Sequence, residues 1–188
     1  VDDIGSKKIL EIGSGASPLK MFYPSVKTSD IIGLDYLDLT FDAHDIDDCG
    51  IEDGSLDIIT ITNVLHHMKD PVAFLLKASV KLKKGGQVIL TEPYFSIFSR
   101  FIYLYLHHEA TELNAKKPVL DVVDGPLSSA NIALPYLIFK GEWKEPLREK
   151  YIISDNGRSY FSSLSYMATG GMSRDIRIPE TVYMVFFQ

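Results

Sequence analysis

Lys8-Ile9-Leu10-Glu11-Ile12-Gly13-Ser14-Gly15-Ala16-Ser17-Pro18 is an apolar-rich run stopped by two closely spaced glycines. Such a run is the pattern of a strand buried in a parallel sheet, and the glycines mark a tight turn at its carboxyl end. Gly13 and Gly15 let the backbone turn sharply and approach a ligand where any Cβ would collide.

The same design recurs downstream. Ile31-Ile32-Gly33-Leu34-Asp35 reads as a second strand ending on an acid, and Leu39 to His44 as a third. After the turn residues Glu52-Asp53-Gly54-Ser55, Leu56 to Thr62 reads as a fourth strand. Pro71 to Lys83 has helical spacing, with Val72, Leu75, Leu76, Ser79 and Leu82 on the inner face. Pro71 opens that helix, Gly85-Gly86 lies past its end, and Gln87 to Glu92 forms a fifth strand. This alternation predicts an α/β fold: a doubly wound, mostly parallel Rossmann-like sheet with helices on both faces, its ligands bound beyond the carboxyl ends of the strands.

From Tyr94 the rhythm changes. Phe95 to Leu106 is aromatic and helical in pattern, and His107 to Leu127 is polar and irregular, which suits a cap inserted after strand five. Thr181 to Phe187 has the pattern of a terminal strand, and Thr169-Gly170-Gly171-Met172 that of a turn. The expected organisation is one domain over 1–188, with a cofactor-binding half at 1–93, a cap at 94–150 and C-terminal elements at 151–188 that complete the sheet.

At 188 residues, 46% hydrophobic and 23% charged, the chain suits one well-buried core. Its net charge of -6 lacks the basic field that neutralises phosphates, so no nucleic-acid partner is expected. Cys49 is the single cysteine and completes neither a disulfide nor a zinc pattern, which suits a reducing, cytoplasmic setting. The longest apolar stretches are too short to span a membrane, and the first residues show no signal-peptide pattern. Val1 stands only a few residues before the first strand, as it would in a fragment or in a sequence that begins at its first ordered residue.

Charge separates the ligands that such a glycine turn could serve. A dinucleotide brings an anionic pyrophosphate and a fingerprint with a third glycine, where this chain has Ser17-Pro18. S-adenosylmethionine brings a sulfonium, an ammonium and no phosphate, so nearby acids favour it. Glu11 can meet the cationic methionine end directly or through water, and Asp35 can accept both ribose hydroxyl protons. The residues Glu11-x-Gly13-x-Gly15, Asp35, Asp45-Ile46 and Gly85-Gly86, spread over about Lys7 to Pro93, resemble class I S-adenosylmethionine-dependent methyltransferases, especially the type 11 group.

The resemblance implies S-adenosylmethionine as cofactor, S-adenosylhomocysteine as product, and cofactor contacts from Glu11, Gly13, Ser14, Gly15, Asp35, Tyr36, Asp45, Ile46, Asn63 and Val64. Asp45 would accept from the adenine amino group and the Ile46 backbone would face the ring. Asp42-Ala43 is a rival dipeptide for that role. Asn63-Val64-Leu65-His66-His67 matches the segment beside the methionine portion, where His67 would orient backbone in preference to moving protons.

Methyl transfer is an in-line displacement in which proximity and alignment supply much of the acceleration, and a base is needed only when the acceptor must lose a proton. Glu92, His107 and His108 are the candidate bases. His107-His108-Glu109 also invites a metal reading, but adjacent helical residues diverge and no third ligand is specified, so no metal is expected. A polar helix end is the competing reading of that cluster. Tyr94, Glu109 and Asn131 are candidate substrate contacts. Ser129-Ala130-Asn131-Ile132-Ala133-Leu134-Pro135 resembles a stretch of methyltransferases associated with cell-surface saccharide synthesis, while a helix cap is the alternative for Asn131. The expected activity is methyl transfer, preferably to oxygen, on a small-molecule or saccharide acceptor. The alternatives are a non-catalytic module of the same fold and an NAD-dependent oxidoreductase.

Overall fold

The structure, a computed structural model, describes residues 4–105, 107, 109–121, 125 and 129–155. These fall into two compact units, one built from Val1–Pro93 and Glu109–Ile152, the other from Tyr94–His108 and Ile153–Gln188. The segment expected as a cap at 94–150 is thus divided between them. His108, Thr169 to Met172 and Thr181 to Phe187 lie outside the described residues.

The first unit holds a five-stranded, wholly parallel sheet. Its strands are β1 (Ile9–Ile12), β2 (Val26–Asp30), β3 (Leu39–Thr40), β4 (Leu56–Thr62) and β5 (Leu82–Thr91), in the spatial order β3-β2-β1-β4-β5. The chain winds outward from β1 to β3 and then returns to the other side of β1, so the winding direction reverses between β1 and β4. Leu10, Ile12, Ile59 and Ile61 are buried at that centre. Strands one and four lie where their apolar runs placed them.

Strand two does not. It is Val26–Asp30, not Ile31 to Asp35, and its acid is Asp30. Apolarity misleads here because Thr28 and Ser29 are 0% and 1% exposed. Their polar groups have partners: Asp38 accepts from both the Thr28 amide and hydroxyl at 2.9 Å, and the Ser29 hydroxyl donates to the Glu11 carbonyl at 2.7 Å. Ile31 and Ile32, by contrast, are exposed. The third strand is also shorter than expected, because Asp42 caps a run of 3-10 turns over Ala43–Asp48.

The helix α1 (Pro71–Lys81) begins as expected, with Pro71 in its first turn and Asp70 accepting from the Ala73 amide. It ends before Gly85-Gly86 because Leu82 turns extended and pairs with Leu56. The pairing then skips to Gln87 opposite Ile58, with Gly85 at φ 81° inside the bulge. Phe74 and Ala78 join Val72 and Leu75 on the buried face. α1 is the one α-helix among the described residues that links two strands. The crossover from β1 to β2 contains only a single 3-10 turn, Leu19–Met21, so the expected helices on both faces are reduced to turns there.

Two later segments complete this unit. The helix α3 (Ala133–Lys140) packs on the 3-10 turn Leu65–His67 and on the run Glu142–Glu149, which also packs against α1. In the second unit, α2 (Ile97–Tyr105) opens on a serine pair, Ser99 donating from its hydroxyl to the Tyr94 carbonyl at 2.6 Å while its amide donates to Ser96 Oγ at 3.1 Å. No helix among the described residues is long and apolar enough to cross a membrane.

The last residue of α1 is a buried lysine. The Lys81 ammonium donates to the Asp47 and Ile51 carbonyls, both at 2.9 Å, and to Asp53 at 2.8 Å, pinning the loop before β4. Lys81→Met is expected to lower unfolding free energy by about 1–3 kcal/mol, since it leaves buried carbonyls without a donor. Urea denaturation of the two proteins measures the difference, and equal midpoints would contradict this role.

Candidate functional site

In a parallel sheet all carboxyl ends share one edge, and the reversal between β1 and β4 opens a crevice there. Residues from the ends of β1, β2, β4 and β5 meet at that edge. Gly13 takes φ 70°, and a Cβ on it would stand 2.3 Å from Val64 Cγ2. This glycine is therefore required by the packing of β1's turn on the exit of β4. Gly15 takes φ 51° with nothing within 4 Å of its Cβ position, so the open approach for a ligand lies there.

Glu11 organises the loop from below. Its carboxylate accepts the Ser14 hydroxyl at 2.7 Å and the Leu19 amide at 2.9 Å. Asp30, at the end of β2, accepts the Gly15 amide at 3.0 Å, and the Tyr36 hydroxyl donates to the Gly15 carbonyl at 2.7 Å. Asp35 sits in an exposed turn beyond the strand, so the acid at the strand end is Asp30. A shallow recess of about 380 Å³ beside the loop is lined by Ala16, Pro18, Lys20, Met21 and Tyr36. Lys20, its cation, is paired with Asp38. A recess of about 470 Å³ lined by Ile4, Lys7, Asp57 and Lys83 to Gln87 lies at the amino ends of the strands, away from these groups.

After β3, the Asp42 carboxylate accepts the His44 amide and faces His44 Nδ1, both at 2.9 Å. Burial pushes its carboxyl pKa up, but the His44 contacts outweigh it and hold the group below the usual carboxylate range. Asp45 is exposed at a kink, and the Ile46 side chain is fully buried in the core. Ile46 can reach a ligand only through its backbone.

At the end of β4, Asn63 takes φ 54°, the one positive φ found at a residue other than glycine among the described residues. Such a conformation costs of order 1 kcal/mol and persists where the surroundings enforce it. Here the Asn63 amide donates to the Thr91 carbonyl at 2.8 Å. Next, Glu92 Oε1 accepts the Val64 and Leu65 amides at 3.0 and 2.7 Å, and Glu92 Oε2 lies 2.7 Å from His66 Nδ1. The Glu92 side chain is 8% exposed and is engaged in shaping this turn.

His66 and His67 carry the turn toward a second carboxylate. Their rings lie with centroids 4.3 Å apart, and each Nε2 is 3.6 Å from a Glu109 oxygen. His67 Nδ1 is 3.0 Å from the Ser129 carbonyl. A carbonyl only accepts, so that nitrogen bears a proton. Burial pulls the His66 imidazolium down, but Glu109 and Glu92 outweigh it and push its pKa up from 6.5 to about 9. The cluster therefore attracts positive charge.

The other candidates have settings of their own. Asn131 is buried, with both heteroatoms of its amide engaged: Oδ1 accepts the Glu112 and Ala133 amides at 2.9 and 3.1 Å, and Nδ2 donates to the Glu112 carbonyl at 3.2 Å. Its backbone amide also donates to the His66 carbonyl at 2.9 Å. It clamps the segment before α3, the alternative open in the sequence. Tyr94 and His107 belong to the second unit, where His107 meets Tyr103 edge-on at 5.7 Å. The grouping of His66, His67 and Glu109 is what sequence reasoning missed. His66-His67 adjacency was the one visible signal, since Glu109 reaches them only through the fold.

Residues 3–122 match a family model described as a methyltransferase domain. Among solved structures, the chain is similar to the CurJ carbon methyltransferase, with 23% identity, TM-score 0.42, and coverage of 52% of this chain and 31% of that one. It is also similar to the carbon-methyltransferase domain of the citrinin polyketide synthase, with 17% identity, TM-score 0.42, and coverage of 54% and 33%. A Haemonchus contortus phosphoethanolamine N-methyltransferase 2, solved with S-adenosyl-L-methionine, matches at 16% identity and TM-score 0.34, over 51% of this chain and 28% of that one. The chain thus spans about a third of the length of these structures. No curated protein matches the sequence significantly.

The two glycines are expected to differ under substitution. Gly13→Val drives a side chain into Val64 in a left-handed conformation, so a loss of at least about 3 kcal/mol and a collapse of the thermal midpoint are expected. Gly15→Ala faces open space and is expected to cost about 1 kcal/mol of backbone strain. Thermal melts followed by circular dichroism distinguish them, and equal midpoints would contradict the Val64 contact.

Proposed function

The chain belongs to the methyltransferase-domain family, and from that premise we propose that it binds S-adenosylmethionine at the carboxyl edge of β1, β2 and β4 and transfers its methyl group to a small-molecule or saccharide acceptor, oxygen being the preferred acceptor atom. The observation that carries this reading is the glycine loop closed by Asp30. Gly15 leaves room for a ligand, and the carboxylates of Glu11 and Asp30 flank the turn. The acids suit a sulfonium and an ammonium, and would repel a pyrophosphate.

When bound, the cofactor supplies an activated methyl carbon with a neutral thioether as leaving group. Asp30 would accept from the ribose hydroxyls, since each carboxylate oxygen retains a second lone pair beyond its backbone contact. Glu11 holds the loop that faces the methionine end, and Asn63 and Val64 border it from β4. Asp42 and Asp45 both follow β3 and serve the adenine end. Glu92 acts as a positioning residue through the 64–66 turn. Acceptor activation falls to His66, His67 and Glu109, whose converging groups attract positive charge.

Calorimetric titration with S-adenosylmethionine, S-adenosylhomocysteine and NAD tests the reading. The two sulfur ligands are expected to bind and NAD is not. Asp30→Ala is expected to weaken sulfur-ligand binding at least about tenfold by deleting charge-assisted contacts, and Asp35→Ala to leave it unchanged. Binding of NAD alone would overturn the proposal, and cofactor binding without turnover on any acceptor would favour a non-catalytic module.

A further inference from the structure

We infer that His66 Nε2, His67 Nε2 and the Glu109 carboxylate form a binding site for one divalent transition-metal ion of zinc's class. The ligating atoms of the three residues all lie within 4.8 Å of one another, and each imidazole Nε2 stands 3.6 Å from a Glu109 oxygen. Two atoms each about 2.1 Å from a tetrahedral zinc lie about 3.4 Å apart, which the two nitrogen–oxygen distances of 3.6 Å approach, while the widest of the three separations, up to 4.8 Å, would have to close further around the ion.

The orientation of the rings supports the site independently of the spacing. A metal-bound histidine uses one nitrogen for the ion and commonly donates from the other to a carboxylate or a backbone carbonyl, which fixes tautomer and ring plane. Both arrangements occur here: His66 Nδ1 faces Glu92 at 2.7 Å, and His67 Nδ1 donates to the Ser129 carbonyl at 3.0 Å. With Nδ1 so engaged on each ring, both Nε2 atoms face a Glu109 oxygen, and a divalent ion between them would coordinate both nitrogens once any Nε2 proton is displaced.

The scaffold also suits an ion. His66 is buried, while His67 and Glu109 keep 20% and 23% of their side chains exposed, leaving an approach from one side. Two imidazoles and one carboxylate are borderline and hard donors, the set that takes zinc and its neighbours and not calcium or magnesium. Three protein ligands leave a further position for water or for an oxygen of the acceptor. The ion would tie the turn after β4 to the start of the 109–131 segment.

The test uses the whole chain, stripped with a chelator and titrated with zinc alone in the absence of any methyl donor. One equivalent is expected to bind, and cobalt in its place is expected to give the visible absorption of a low-symmetry four- or five-coordinate ion. Glu109→Gln and His67→Gln, which keep side-chain size, are each expected to lower zinc affinity at least about a hundredfold with unchanged circular dichroism. His107→Ala is expected to bind as the parent does. Absence of a stoichiometric site, or an unchanged affinity in Glu109→Gln, would overturn the assignment. Because no cofactor enters the titration, its outcome is separable from that of the methyl-transfer reading.

Discussion

A buried carboxylate at the end of β5 sets the geometry on which the rest of the edge depends. Glu92 accepts two consecutive backbone amides and faces one imidazole nitrogen, all within 3.0 Å. Taking a carboxylate out of water costs several kcal/mol, and such a group is retained where its partners are well placed. Here those partners are the first residues after β4. The same turn seats Val64 against Gly13, holds Asn63 in its left-handed conformation and aims His66. The contact thus joins the glycine-loop side of the crevice to the histidine side through a few residues of backbone.

The parts of the fold that could be read from the sequence are those whose burial is apolar. β1 and β4 present short runs of isoleucine and leucine between glycine or acidic turns, and their places follow directly. β2 escaped because its core residues are Thr28 and Ser29, whose burial depends on Asp38 and on the Glu11 carbonyl, partners that no local pattern announces. The apolar run from Ile31 accordingly points to Asp35 as the acid at the strand's end, a place that Asp30 holds. The end of α1 was misplaced for a related reason: Leu82 leaves the helix to pair with Leu56, a tertiary interaction that overrides helical spacing.

At the site, the glycine loop was legible because backbone conformation restricts residue type. Gly13 belongs there for a different reason from the one its sequence suggests, since its missing Cβ makes room for Val64 and Gly15 leaves the open side. The histidine and glutamate cluster was illegible as a whole. His107, His108 and Glu109 are neighbours in the chain, yet Glu109 faces His66 and His67, brought to it by the turn that Glu92 shapes and by the segment that Asn131 clamps.

The clamp at Asn131 bears on how the protein ages. Asparagine side chains convert slowly to aspartate when the backbone nitrogen of the following residue attacks the amide carbon. At Asn131 that nitrogen belongs to Ile132 and donates to the Ala110 carbonyl at 3.0 Å, while both side-chain heteroatoms are held. The attack would require breaking these bonds together, so folding shields the residue chemically. The shield matters because aspartate would set an anionic oxygen against the Glu112 carbonyl where an N–H now donates. Conversion at this buried position would therefore report prior local opening around Asn131.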